Sequence, residues 1–231
     1  MFSFLWLIIW YTQLVPFAIC LIYPFYKVSL RWYYRYCFHA LKIKTIITKD
    51  SEYIEEGFIL ANHRSFFDFL WDPAISNAVI LGRRLAFLVF LFNSIFCHLQ
   101  CGIIPIHRGK DSRQVIFSKM KKCKLVLFWP EGTRLRYDYL SSPEDVKKYI
   151  RYGILKEIYY HNKLPVQLQI SSNKEKVVDE RKFIVKKGVT VKTHISAPIY
   201  PVNYNTEQEF YNAIAEVWYD AWKRTHNNLK K

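Results

Sequence analysis

The chain has 231 residues, is 51% hydrophobic and 18% aromatic, and carries 34 Lys and Arg against 19 Asp and Glu, a net charge of +15. That apolar and aromatic content excludes a disordered basic tail and leaves room for a single folded domain with a substantial core. The charge excess implies an anionic partner: nucleic acid, a membrane surface or a phosphorylated substrate.

Residues 1–26 contain no charged side chain. As one helix they would extend about 39 Å at about 1.5 Å per residue, more than the roughly 30 Å of a bilayer's hydrocarbon core. Pro16 and Pro24 interrupt the run, so a kinked or re-entrant segment is the alternative to a straight span. No basic residue precedes this long run, so a cleaved signal peptide fits less well. Residues 27–44 follow with Lys27, Arg31, Arg35, Lys42 and Lys44 and no acid, interleaved with Trp32, Tyr33, Tyr34, Tyr36 and Phe38. Basic residues beside an apolar span favour the cytoplasmic side, and Trp and Tyr suit the headgroup level. The same mixture suits single-stranded nucleic acid, but its position next to the apolar run favours the membrane, and no nucleic-acid partner is expected. The chain divides on this reading into a membrane-anchoring and interfacial region, 1–44, and a globular domain, 45–231. The cysteines (Cys20, Cys37, Cys97, Cys101, Cys123) are odd in number and scattered among apolar residues, which reads as buried thiols in a reducing compartment.

Gly57-Phe58-Ile59-Leu60-Ala61 reads as a short buried strand. It is followed by Asn62, His63 and, five residues further on, Asp68. A histidine at the mouth of a strand, with a carboxylate able to fix its tautomer, is a general-base arrangement. The same residues also make an ordinary strand-to-helix corner capped by Asn62 or Ser65. A spacing of five lies about 140° off a common helix face, so His63 belongs on the loop and Asp68 in the first helical turn. Trp71 to Ile80 reads as helix, and Leu85 to Phe92 as a packed helix or a segment dipping into a leaflet. Cys101 to Ile106 reads as a strand ending at His107-Arg108. Asp111 suits the N-cap of a helix with Val115, Ile116, Phe117 and Met120 inward.

Leu125-Val126-Leu127-Phe128 reads as a strand opening into Trp129-Pro130-Glu131-Gly132-Thr133-Arg134. Ser142-Pro143-Glu144-Asp145 starts a helix, with a cap, a first-turn proline and acids at the positive dipole end; it is expected to run to about Tyr160. Leu164 to Ile170 reads as another strand. Lys182 to Val185 and Val189 to Ile195 suggest a hairpin around Gly188. Thr206 and Glu209 form a capping box for a last helix whose apolar stripe is Phe210, Ile214, Val217, Trp218 and Trp222. Strand, polar loop and helix alternate, which predicts an α/β fold: a mixed β-sheet flanked by helices, with the polar loops converging on one sheet edge.

Three strand ends carry chemistry. His63 with Asp68 supplies a base. Gly132 lets the backbone approach a ligand, and Arg108 and Arg134 can grip a phosphate. Glu131 can fold back to order its loop. No Gly-x-Ser-x-Gly elbow and no Gly-rich phosphate loop is present. Cys97-His98 with Cys101 and His107 matches no zinc spacing, and no metal is expected. A histidine base without a neighbouring serine or cysteine nucleophile implies direct attack by the substrate's own hydroxyl.

Asn62-His63-x-x-x-x-Asp68, Gly102 to Arg108, Phe128 to Arg134 and, loosely, Leu164-Pro165-Val166 resemble the ordered motifs of the glycerophospholipid acyltransferases, in particular the 1-acylglycerol-3-phosphate acyltransferases. The resemblance spans roughly residues 55–170. It differs at the aromatic before the proline of the third motif, here Trp129, and at Leu135, where a serine is frequent. It implies a mixed α/β sheet attached to the membrane by an N-terminal helical segment. It implies acyl transfer from acyl-CoA (or an acyl carrier protein), a co-substrate and not a cofactor, to a glycerol hydroxyl of a lysophospholipid at the lipid bilayer; the basic residues of 27–44 put the catalytic domain on the cytoplasmic side. His63 would be the base and Asp68 its support, while Arg108, Glu131, Gly132, Thr133 and Arg134 would bind substrate. Another acceptor, such as lysocardiolipin or lysophosphatidylinositol, or a non-catalytic membrane-binding role, are the alternatives.

Overall fold

A computed structural model describes residues 14–22, 30–83, 95, 103–107, 113–134 and 140–226. Two helices lead, α1 (Val15–Ile22) and α2 (Leu30–Ala40). The strands that follow are β1 (Lys44–Lys49), β2 (Gly57–Ala61), β3 (Val79–Arg83), β4 (Ile103–Ile106), β5 (Leu125–Phe128), β6 (Val166–Ser172), β7 (Val178–Asp179), β8 (Ile184–Val185) and β9 (Thr190–Ile195). Between them stand α3 (Asp68–Ser76), α4 (Arg113–Met120), α5 (Pro143–Tyr149), α6 (Gly153–Glu157) and the short α7 (Lys174–Val177). The long α8 (Glu207–His226) ends the described chain.

Among the described residues the main sheet has seven strands in the order β1-β9-β6-β2-β5-β3-β4. Every pairing is parallel except β6 with β9, so the sheet is mixed as the alternation predicts. Parallel strands send their C-terminal ends to one edge. The register Leu60↔Phe128 places the loops after β2 and β5 side by side there.

Alternation with a period of two sends Phe58, Leu60, Val126, Phe128, Leu168 and Ile170 to one face, where α4, α5 and α8 cover them. Ile59, Ala61, Leu127 and Trp129 go to the other. The predicted stripe of α8 holds, with Phe210, Ile214, Trp218 and Trp222 buried and Val217 half-buried against the same core. Half of its capping box forms, Thr206 Oγ1 accepting from Glu209 N at 3.2 Å, while Glu209 Oε2 reaches one residue past the cap to accept from Asn205 N at 2.9 Å. Gly57 sits at φ +134°, and a Cβ there would stand 2.3 Å from the Pro165 carbonyl oxygen. That oxygen accepts the Phe58 N–H at the start of the β2–β6 pairing, so the position tolerates no side chain.

Several expectations change. The helix after the His63 corner ends at Ser76, not Ile80: Asn77 takes the left-handed conformation at φ +56° and Val79 enters β3. The α5 helix is capped by Ser142 as predicted, but breaks at Ile150, which is extended (φ −81°, ψ 132°); α6 restarts three residues later. Val189 to Ile195 does not pair with Lys182 to Val185. β8 pairs with β7, while Gly188, at φ +73°, hands the chain to β9, which enters the main sheet between β1 and β6. The buried sheet position outweighs the local hairpin signal. Val115 is exposed, and only Phe117 and Met120 of α4 are fully inward.

At the N-terminus, Tyr33, Tyr34 and Cys37 of α2 are buried against Ile19 and Ala74, so these tyrosines are core residues. Trp32 and Tyr36, on the other side of the same helix, are exposed and stacked at 6.1 Å. Among the described residues no helix is long and apolar enough to cross a membrane. Residues 1–13 and 23–26 of the apolar run, Leu85 to Phe92, Cys97, Cys101 and Arg108 lie outside the described residues.

Candidate active site

The corner after β2 is built by backbone hydrogen bonds to side chains. Asn62 clamps β6 reciprocally: its Nδ2 donates to Ser171 O and its Oδ1 accepts from Ser171 N, both at 2.8 Å. It therefore caps no helix. Ser65 does not cap α3 either: its Oγ accepts from Phe67 N at 3.0 Å within the turn before α3, whose N-cap, Phe67, has no side-chain cap hydrogen bond. Asp68 opens α3 and turns back over the loop. Its Oδ2 accepts from the backbone N–H of Ser65 at 3.0 Å, from the N–H of Arg64, and from His63 Nδ1 at 2.8 Å. His63 thus sits on the loop and Asp68 in the first turn, as the spacing requires. With Nδ1–H donating to a carboxylate, Nε2 is the basic nitrogen. Nε2 has no hydrogen-bond partner among the described residues, and the ring lines a cavity.

Asp68 is fully buried, and sequence reasoning missed what stabilises it. Lys174 Nζ, also fully buried, lies 3.2 Å from Asp68 Oδ1 and 3.0 Å from Asp72 Oδ2, and donates to Asn62 O at 2.7 Å. Asp72 accepts further from Trp129 Nε1 at 2.8 Å and Gln169 Nε2 at 2.9 Å. Burial pushes the Asp68 carboxyl up, but the Lys174 charge and the His63 hydrogen bond outweigh it and hold it below the ordinary carboxylate value. Burial pushes Asp72 up to about 6, with Lys174 pulling down and Asp68 adding to the rise. Burial pulls Lys174 down, yet its two carboxylates raise it overall, so it stays charged. Asp68 and Asp72 are four apart on one helix, so their carboxylates share a face; that pairing was the signal available for a buried cation. Nothing local distinguishes Lys174 within the charged run Lys174-Glu175-Lys176.

The loop after β5 meets this corner directly. Glu131 is buried and absent from the cavity wall. Its Oε2 accepts from His63 N at 2.7 Å. Glu131 thereby locks the two motif loops together, as a carboxylate facing a backbone N–H does. Trp129 stacks on the His63 ring at 4.9 Å and 26° while its indole N–H holds Asp72, so it packs His63 and closes the polar cluster at once.

The cavity in front of His63 has a volume of about 850 Å³. Phe66, Phe69, Leu81, Ile106, Ile116, Phe128 and Ile154 supply apolar wall, and Gly132, Thr133 and Arg134 also line it. Arg134 is not a free cation. It pairs with Glu180 Oε1 at 3.1 Å and lies over the Phe66 ring at 3.9 Å. Gly132 sits at φ +65°, a turn conformation that glycine adopts without strain. Two further arginines, Arg113 and Arg151, line the wall and were not singled out in the sequence. Arg108 lies outside the described residues, although its strand β4 ends beside this cavity through Ile106. Among the described residues no group of His, Cys, Asp and Glu could hold a metal ion. A base with a free Nε2 beside an apolar, cationic cavity can take a proton from a hydroxyl on an anionic amphiphile.

Comparison with known proteins agrees. The family model described as "Acyltransferase" matches residues 44–205. No curated protein matches. Among solved structures, the fold is similar to the 1-acyl-sn-glycerophosphate (LPA) acyltransferase, PlsC, from Thermotoga maritima. The TM-score is 0.66 at 15% identity, covering 87% of this chain and 78% of that one, a likeness of fold.

Proposed function

Because the chain belongs to the acyltransferase family, we propose that it moves a fatty acyl group from acyl-CoA to the free hydroxyl of 1-acylglycerol 3-phosphate, forming phosphatidic acid. The observation that carries this reading is the His63 Nδ1 to Asp68 contact of 2.8 Å, with Nε2 unpaired at a cavity that joins apolar wall to arginine. His63 Nε2 takes the acceptor's hydroxyl proton, and the alkoxide attacks the thioester carbonyl. The carbon–sulfur bond then breaks, and His63 returns the proton to the departing thiolate, so ester and free thiol leave and the base is regenerated. Asp68 keeps the proton on Nδ1 and balances the imidazolium. The substrate's chain lies along the aromatic and aliphatic wall, and its phosphate faces the loop of Gly132, Thr133 and Arg134; Arg108 is expected from its motif to join them. No cofactor is needed beyond the acyl-CoA co-substrate.

The likeness of fold to an enzyme named for 1-acyl-sn-glycerophosphate supports the choice of acceptor. Membrane attachment belongs to the same proposal: the apolar run 1–26 supplies the anchor and the basic stretch 27–44 keeps the domain on the cytoplasmic side. The exposed Phe17, Leu21, Ile22, Trp32 and Tyr36 support it, as apolar surface that water does not favour. The test is acyl transfer from labelled acyl-CoA to a panel of lysophosphatidic acid, lysophosphatidylinositol and monolysocardiolipin, with His63→Ala as control. Transfer to lysophosphatidic acid is expected, falling about 10²–10⁴-fold in the variant; equal product from both proteins would sink the reading.

A further inference from the structure

Arg113 and Arg151 reach the cavity from different elements, and both have room made for them by glycine. Arg151 follows the break at Ile150, and its backbone N–H donates to Pro130 O at 2.9 Å, which ties it to the loop bearing Gly132. Its guanidinium lies against Gly132: a Cβ there would stand 3.0 Å from the guanidinium carbon and nitrogens. Arg113 opens α4 and lies against Gly153 in the same way, where a Cβ would stand 2.9 Å from its Nε. Among the described residues neither guanidinium has an ion-pair or hydrogen-bond partner and no acidic side chain lines the cavity. Arg134, expected from its motif to be the phosphate grip, is already paired with Glu180.

From this division we infer that Arg113 and Arg151 form the phosphate-binding subsite of the cavity. Unpaired guanidinium groups reaching one cavity from two elements offer forked donors that suit the oxygens of a phosphate. The inference rests on the proposed function for the acceptor's identity, and the phosphate could instead be one of those on coenzyme A, so binding is measured for both. Arg134, held by Glu180 and lying over the Phe66 ring, orders the loop beside them, and the two guanidinium groups add their charge to that loop's.

The experiment is equilibrium binding to the full chain in detergent of three ligands: lysophosphatidic acid, the matching monoacylglycerol, and coenzyme A. Arg113→Gln and Arg151→Gln are each expected to weaken lysophosphatidic acid about 10- to 100-fold and to leave monoacylglycerol unchanged. Weakening of coenzyme A alone would support the subsite and assign it to the donor's phosphates. Unchanged binding of both phosphate-bearing ligands overturns it, and so does equal weakening of all three. A glutamine variant that fails to fold is replaced by Arg→Lys, which keeps the charge, loses the fork and is expected to give a smaller loss. Binding needs no turnover, so an enzyme inactive towards lysophosphatidic acid would refute the proposed reaction while leaving this subsite tested on its own terms.

Discussion

On one side of His63, Asp68, Asp72 and Lys174 are each fully buried and held together by ion pairs of 3.0 and 3.2 Å, whereas on the other Arg113 and Arg151 have no partner among the described residues. The two regions handle charge in opposite ways. Behind the ring, every charge meets a fixed counter-charge, and removing one partner would leave another uncompensated in a dry interior. In front of it, cationic groups line an open cavity and are available to a ligand. His63 joins the two: Nδ1 belongs to the closed side and Nε2 to the open one.

Breaking the closed side at its link to the base carries the largest expected effect. Asp68→Asn presents an amide where Nδ1–H needs an acceptor, which favours the wrong tautomer; turnover is expected to fall about 10²–10⁴-fold with binding of lysophosphatidic acid little changed. Steady-state kinetics against direct binding would show it, and a loss confined to KM would contradict the assignment of Asp68.

Next comes Lys174→Met, which leaves two buried carboxylates without their cation. A loss of about 3–5 kcal/mol in unfolding free energy is expected from urea titration. A loss below about 1 kcal/mol would mean that the cluster is not the closed unit described.

Smaller still is Trp129→Phe. The ring still stacks on His63, but Asp72 loses the indole donor at 2.8 Å. A stability loss of about 1.5–3 kcal/mol is expected, with turnover changed less than in Asp68→Asn. Turnover falling as far as in Asp68→Asn would show that the indole donor, rather than Asp68, governs the base.

The smallest effect is a pH dependence behind the site. His226 is buried, and burial together with the charge of Arg64 pulls it down to about 4 from 6.5. Between those values the unfolded chain takes up a proton that the folded chain refuses, so stability falls as pH drops through that window. Asp72, raised to about 6, works in the opposite direction, its contribution falling as pH rises from the ordinary carboxylate value towards 6. His226→Gln should therefore lose less stability than the parent between pH 7 and pH 5, by roughly 1 kcal/mol. Parallel loss in both proteins would show that His226 does not titrate in this window.

Much of the site was readable because its motifs sit where strands end. An apolar run such as Phe58-Ile59-Leu60-Ala61 buries itself wherever it goes, and parallel pairing brings its polar exit to the same edge as that of Leu125 to Phe128. Five residues between His63 and Asp68 place one on the loop and the other on the helix. Local chemistry is less able to specify long-range competition. Val189 to Ile195 looked like a hairpin partner because Gly188 is a good turn, but two neighbouring strands offer it more pairing than one short strand does. The helix after Ser142 carries only Gly153 as a weak breaker in its sequence, and Arg151 reaches the cavity because the chain stops being helical at Ile150.

The sequence by itself determined the mixed α/β plan, the His63 and Asp68 pair and the loop from Trp129 to Arg134, since strand patterning, caps and short spacings act between near neighbours. Only the tertiary structure decided which charges are spent and which are free. Glu131 turned to a backbone N–H, Arg134 to Glu180 and Lys174 to two buried carboxylates, while Arg113 and Arg151 were left facing the cavity. Charge pairing acts through space, between groups that the chain's order keeps far apart, as Lys174 and Asp72 are at 102 residues.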